Sequence, residues 1–161
     1  MDKKSKIVEF ILLFILYLIL EYLFLYFFPQ GFETWQREQV AFLLGRFLSF
    51  IGIAANVVGD TVNFSQGSMR IVYECTGGFA FFVFSSAVLA YPSNAKSKLL
   101  GQIFGLVSIF ILNILRLIII SIIMVKSPSL FDLFHKYLWQ ASFIVIVVFL
   151  FILWVEKWAK E

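Results

Sequence analysis

Residues 99–125 read LLGQIFGLVSIFILNILRLIIISIIMV, an apolar run broken by a single charge, Arg116. A helix crossing a hydrocarbon core about 30 Å thick needs about 20 apolar residues, and this run exceeds that. An arginine inside such a run costs about 2.5–3.5 kcal/mol on insertion scales, so its presence points to a polar role. Two further stretches, 7–28 and 138–155, have the same character, and a fourth, 72–91, is long enough once Val72 and Tyr73 join the run that follows. The whole chain agrees: 61% hydrophobic, 14% charged, with mean hydropathy +0.95. Apolar residues in long blocks, rather than in amphipathic periods, are the mark of bilayer spans. The sequence predicts an all-α integral membrane protein of about four transmembrane helices, forming a single membrane domain over 1–161.

The first span opens with Lys3, Lys4 and Lys6, as a signal peptide would. Its apolar run is longer than the 7–15 residues of such a peptide's core, and it ends in Phe28-Pro29-Gln30-Gly31 without a small-x-small cleavage site, so a retained signal anchor is expected. Orientation follows from the basic residues. With the N-terminus in the cytoplasm, the inner segments hold Lys3, Lys4, Lys6, Lys96, Lys98, Lys157 and Lys160. The outer segments hold Arg37, Arg46, Arg70, Lys126 and Lys136, diluted by Glu33, Glu38, Asp60, Glu74 and Asp132. Both termini are therefore expected in the cytoplasm. The net charge of +3 reflects this bias, which leaves membrane lipid as a partner and no nucleic acid.

The outer segment, about 29–71, carries the only sizeable structure outside the spans. Glu33 to Ile51 mixes Trp35, Val40, Leu43, Leu44, Phe47 and Phe50 with Glu33, Arg37, Glu38 and Arg46, which suits an extracytoplasmic amphipathic helix. Thr61–Phe64 and Met69–Tyr73 flank the turn-like Ser65-Gln66-Gly67-Ser68, predicting a short β-hairpin that leads into Cys75 before the second span.

The chain has one cysteine and one histidine, Cys75 and His135, and one cation well inside a span, Arg116. Span two runs inward, so Cys75 lies at its outer end. Span three runs outward to Val125, and Arg116 lies about 13 Å below that end at 1.5 Å per residue. His135 precedes the last span. All three belong to the outer half of the membrane. Cys75 precedes Thr76-Gly77-Gly78 at the expected start of a helix, where unpaired amides and the positive end of the dipole favour a thiolate. Glu74 opposes this wherever its carboxylate faces the same way. One cysteine and one histidine are too few for an ordinary zinc site, so no metal or other cofactor is expected.

Glu74-Cys75-Thr76-Gly77-Gly78 at the outer end of one span, Asn113-Ile114-Leu115-Arg116 inside the next, and His135 before the last resemble the exosortase/archaeosortase family. The stretch from Ser127 to Gln140 is especially similar to its small four-span members, such as exosortase H, and the resemblance covers about 57–155. It implies a membrane-embedded cysteine peptidase or transpeptidase acting on secreted proteins with a C-terminal sorting signal: a short motif, a transmembrane helix and a basic tail. Cys75 would be the nucleophile, Arg116 the oxyanion donor and His135 the acid and base. Asn113, on the same helix face as Arg116, would orient the guanidinium or the substrate, and Asp132 would orient His135. The rival is a non-enzymatic transporter component or helix-binding assembly factor in which Arg116 is a ligand or helix-pairing charge. A lone-thiol redox sensor is disfavoured because the chain has no resolving cysteine.

Overall fold

The structure, a computed structural model, describes residues 3–27, 30–133 and 139–159. Helix α1 (Lys3–Phe27) and helix α2 (Gln30–Phe50) come first, then three strands, β1 (Asn56–Val58), β2 (Thr61–Phe64) and β3 (Gly67–Arg70). A 3₁₀ turn, Tyr73–Cys75, leads to α3 (Gly78–Ala90), α4 (Ala95–Lys126), α5 (Pro128–Leu133) and α6 (Trp139–Trp154), which ends in a π-helical turn, Val155–Ala159. Among the described residues, three helices are long and apolar enough to cross a membrane: Lys4–Phe27, Ala95–Lys126 and Ser142–Ala159.

The expected second span, 72–91, is divided. Its α-helical part has 13 residues, a rise of about 20 Å, short of a hydrocarbon core. The break lies at Gly77, whose φ of 81° is left-handed backbone that ends the preceding turn and cannot belong to a right-handed helix.

By its contacts the chain forms two compact units. The first comprises the described parts of Met1–Phe28, Ala80–Ile109 and Ile144–Glu161. Here Gly101 and Gly105, four residues apart on α4, form a small-residue seat of the kind that lets membrane helices approach closely. A Cβ at Gly101 would come within 2.5 Å of Trp154 Nε1 and 2.9 Å of Val88, and one at Gly105 would strike the ring of Phe84. Phe84 is fully buried on this seat. Asn94 Oδ1 accepts from Ser97 N at 2.8 Å and caps α4, while Trp154 Nε1 donates to Ser97 O at 2.9 Å. Deeper in this unit, Ser86 Oγ donates to Glu21 Oε2 at 2.8 Å, giving an acid of α1 a partner on α3.

The second unit comprises the described parts of Pro29–Phe79 and Phe110–Phe143. Val40, Ala41, Leu44 and Leu48 recur at helical spacing on α2 and are buried with Val62, Met69, Ile71, Cys75, Ile114, Leu117 and Ile120. Each large aliphatic side chain so buried contributes about 1.5–3 kcal/mol. The other side of α2 is also apolar in places, with Trp35, Phe42, Phe47 and Phe50 exposed.

The expected hairpin is part of a three-stranded antiparallel meander, β1-β2-β3. Pairing of Phe64 with Gly67 leaves a two-residue connection, Ser65-Gln66, and β3 ends at Arg70 instead of continuing to Tyr73. The additional strand pairs Val58 with Thr61 around Gly59-Asp60, where Gly59 has φ 57°. A Gly-Asp pair between β-branched residues is a hairpin signal, but three residues of strand give it little periodicity.

Asp60 of that turn receives Arg37 at 3.2 Å and Arg70 at 3.1 Å, joining α2 to β3. Partial burial pushes its carboxyl up, but hydrogen bonds from Arg70 and Thr61 and the charges of Arg70 and Arg37 hold it below its ordinary value. A carboxyl lowered in the folded state stabilises the fold above its unfolded pKa of about 4, and that contribution disappears as pH falls through the folded value. Melting in detergent is therefore expected to find Asp60→Asn less stable than wild type at pH 7. The gap should close as pH falls below about 4. A gap unchanged down to pH 2 would mean that the carboxylate charge is irrelevant.

Candidate functional site

The site lies within the second unit and is built by two segments. The first is the turn after β3. Cys75 N donates to Val72 O at 2.8 Å, closing the 3₁₀ turn. Thr76 Oγ1 donates to Tyr73 O at 2.7 Å and accepts from Gly78 N at 3.2 Å. Thr76 is thus the residue that caps α3. Cys75 lies in the preceding turn, so the expectation that its thiol faces the first amides of a helix is corrected: the threonine hydroxyl takes that place. The glycine pair is needed for proximity as well as for φ, because a Cβ at Gly77 would lie 3.3 Å from Asn113 Cβ and one at Gly78 would lie 3.0 Å from Tyr73 Oη.

The second segment is one face of α4. Asn113 Nδ2 donates to Cys75 O at 2.8 Å, and Asn113 Oδ1 accepts from Arg116 at 3.3 Å. The same guanidinium nitrogen donates to Glu74 O at 3.4 Å. The i, i+3 spacing of Asn113 and Arg116 puts both on the helix face that meets the turn. The guanidinium also lies within hydrogen-bonding reach of the Cys75 thiol. Phe143 of α6 covers it, with the ring centroid 5.5 Å from Cζ.

Cys75, Asn113 and Arg116 are all buried, at 3%, 0% and 5% exposure. Glu74 is exposed, which separates its carboxylate from the buried thiol beside it. Of the five candidate residues, three therefore meet around one turn. Asp132 belongs to α5, and His135 lies outside the described residues. The burial of Cys75 bears on how a thiol reagent would be read. A membrane-impermeant alkylating agent reaches this sulfur slowly whether it is a nucleophile or an inert core residue, so labelling rate alone does not separate enzyme from assembly factor.

Two features of the site escaped the sequence reading. Thr76 as the cap has a local signal, a threonine two residues before the first helical glycine. Phe143 has none, since it is one phenylalanine among 21. What the arrangement can do chemically is limited and specific. It fixes the backbone on both sides of a thiol and sets a planar cation beside the sulfur in a place that largely excludes water, where a developing negative charge would be strongly stabilised.

Three apolar helices of spanning length, together with this buried polar cluster, define a multi-pass membrane protein. Residues 5–155 match the family model described as Transmembrane exosortase (Exosortase_EpsH), and the chain belongs to that family. It is also similar to a protein named probable archaeosortase E from Methanocaldococcus jannaschii, at 25% identity over 136 residues, covering 84% of this chain and 71% of the relative. No solved structure matches the chain.

Proposed function

We propose that this protein is a membrane-embedded cysteine peptidase and transpeptidase that removes the C-terminal sorting signal of secreted proteins at the outer membrane face. The observation that carries the reading is the meeting of the Cys75 turn with Asn113 and Arg116 of α4. Family membership and the probable archaeosortase relative support the substrate class: a short motif, a transmembrane helix and a basic tail.

In this reading the chain is one membrane domain with both termini in the cytoplasm, and α3, extended by the turn before it, makes the fourth crossing. Running inward from Cys75, it puts the thiol at the extracytoplasmic end. The Cys75 thiolate attacks the scissile carbonyl, forming a carbon–sulfur bond while the carbonyl electrons move onto oxygen. Arg116 donates to that oxyanion. Collapse of the intermediate breaks the C–N bond, and His135, oriented by Asp132, gives a proton to the leaving amine. The product is a thioacyl enzyme. An acceptor amine or water, deprotonated by His135, then attacks the thioester and releases the Cys75 thiolate.

The direct test is to trap that intermediate. During processing of a co-expressed, C-terminally tagged substrate, intact mass spectrometry should find an adduct on Cys75, and hydroxylamine should release it. Efficient tail removal with no adduct and no response to hydroxylamine would reject covalent catalysis.

A further inference from the structure

At its edge, one terminal nitrogen of the Arg116 guanidinium donates to acceptors at 3.3 and 3.4 Å, both longer than the usual N–H···O distance of about 2.9–3.0 Å. These two bonds locate that nitrogen. The face is held differently. Phe143 lies over it, with 5.5 Å between the ring centroid and Cζ. Two other cation–aromatic pairs occur among the described residues, Arg46 over Phe42 and Lys157 over Trp158, and both cations there are exposed. Arg116 is 5% exposed, and desolvation makes this attraction several times stronger than at a wet surface.

From this we infer that Phe143 is a positioning residue for Arg116. Its π-face orients the guanidinium so that donors stay directed at the oxyanion formed beside Cys75. The inference rests on the proposed peptidase chemistry and deepens it. It also gives the last helix a part in the site. Phe143 lies on α6, which in sequence follows the segment containing His135. An arginine in a membrane finds few carbonyls free to accept from it. An aromatic face stabilises the cation without consuming a donor.

A shape-conserving series separates an electrostatic ring from a packing one. Mono-, di- and trifluorophenylalanine at position 143 weaken the negative π-face stepwise and hardly change ring size. With a responsive substrate, kcat is expected to fall with each fluorine, by roughly tenfold at the trifluoro ring, with KM changing less than about twofold. Phe143→Trp should retain most of the activity, and Phe143→Leu should resemble the trifluoro form. A second readout needs no substrate. The melting temperature of the purified protein should fall across the same series with Arg116 present and stay level in an Arg116→Met background.

A level melting series in the wild-type background would show that the ring does not hold the cation. A sloping melting series with unchanged kcat would make the contact structural and overturn the positioning role. If Cys75→Ala cuts as well as wild type, the proposed chemistry fails and the positioning role falls with it, while the melting series still decides whether the ring binds the cation.

Discussion

Cys75→Ala is expected to abolish tail removal while leaving a folded protein in the membrane. The two halves of that expectation have different sizes. Cys75 sits at 3% exposure among Ile71, Ile114 and Leu117, so losing its sulfur leaves a small void in a packed cluster. Removing one heavy atom from such a site costs on the order of 1 kcal/mol, against a total stability of about 5–15 kcal/mol for an ordinary domain. Asn113 bonds the backbone carbonyl of residue 75, which alanine keeps, so the turn retains its clamp. Removal of a covalent nucleophile, by contrast, lowers turnover by roughly a thousandfold or more.

Cys75→Ser preserves the shape but should also be nearly inactive, since a serine hydroxyl needs a stronger base to ionise than a thiol does. The measurement is processing of a tagged substrate by blotting and mass spectrometry, with expression and melting temperature as controls. Equal processing by wild type and Cys75→Ala would eliminate the nucleophile and leave the assembly-factor reading, in which the thiol is only a small core residue.

How much of this was legible in the sequence depended on the length scale of the signal. Residues 99–125 announce a span because most of their 27 positions are apolar, and α4 covers them all. Cys75 and Arg116 could be brought together because the expected topology leaves few arrangements for a residue at one end of an expected span and one in the same half of the next. The finer features hang on single residues. Whether a helix begins at Cys75 or at Gly78 turns on one left-handed glycine, Gly77, and on which side chain caps the amides. Strand β1 is three residues long, and its identity comes from pairing with β2, a tertiary fact. The small-residue seat at Gly101 and Gly105 was not read from the sequence, and its occupants, Trp154 and Phe84, carry no local signal. Phe143 is the extreme case, because its role depends on where α6 packs and nothing local distinguishes it.

Arg116→Lys provides the sharpest contrast between the enzyme and its rival, and it is expected to fail as an enzyme. Lysine keeps the charge, so the cost of having a cation in the bilayer is largely unchanged. A helix-pairing or ligand-binding charge would therefore survive the change with little loss. An oxyanion donor would not. The guanidinium is planar, and one of its nitrogens meets Glu74 O and Asn113 Oδ1 while the group also reaches the thiol and lies beneath Phe143. An ammonium offers three donors from a single point and cannot span those positions together. Losing one donor to a developing oxyanion costs about 10²–10³ in kcat, so Arg116→Lys should fall at least that far, with KM little altered. Arg116→Met, which drops the charge, should be equally inactive but no less stable than Arg116→Lys, because it removes the desolvation burden along with the contacts. Measured by single-turnover cleavage and melting temperature, a lysine variant with near wild-type turnover would reassign Arg116 to a simple electrostatic anchor. Loss in both variants, with the fold kept, would fix it as a directional donor at the reacting carbonyl.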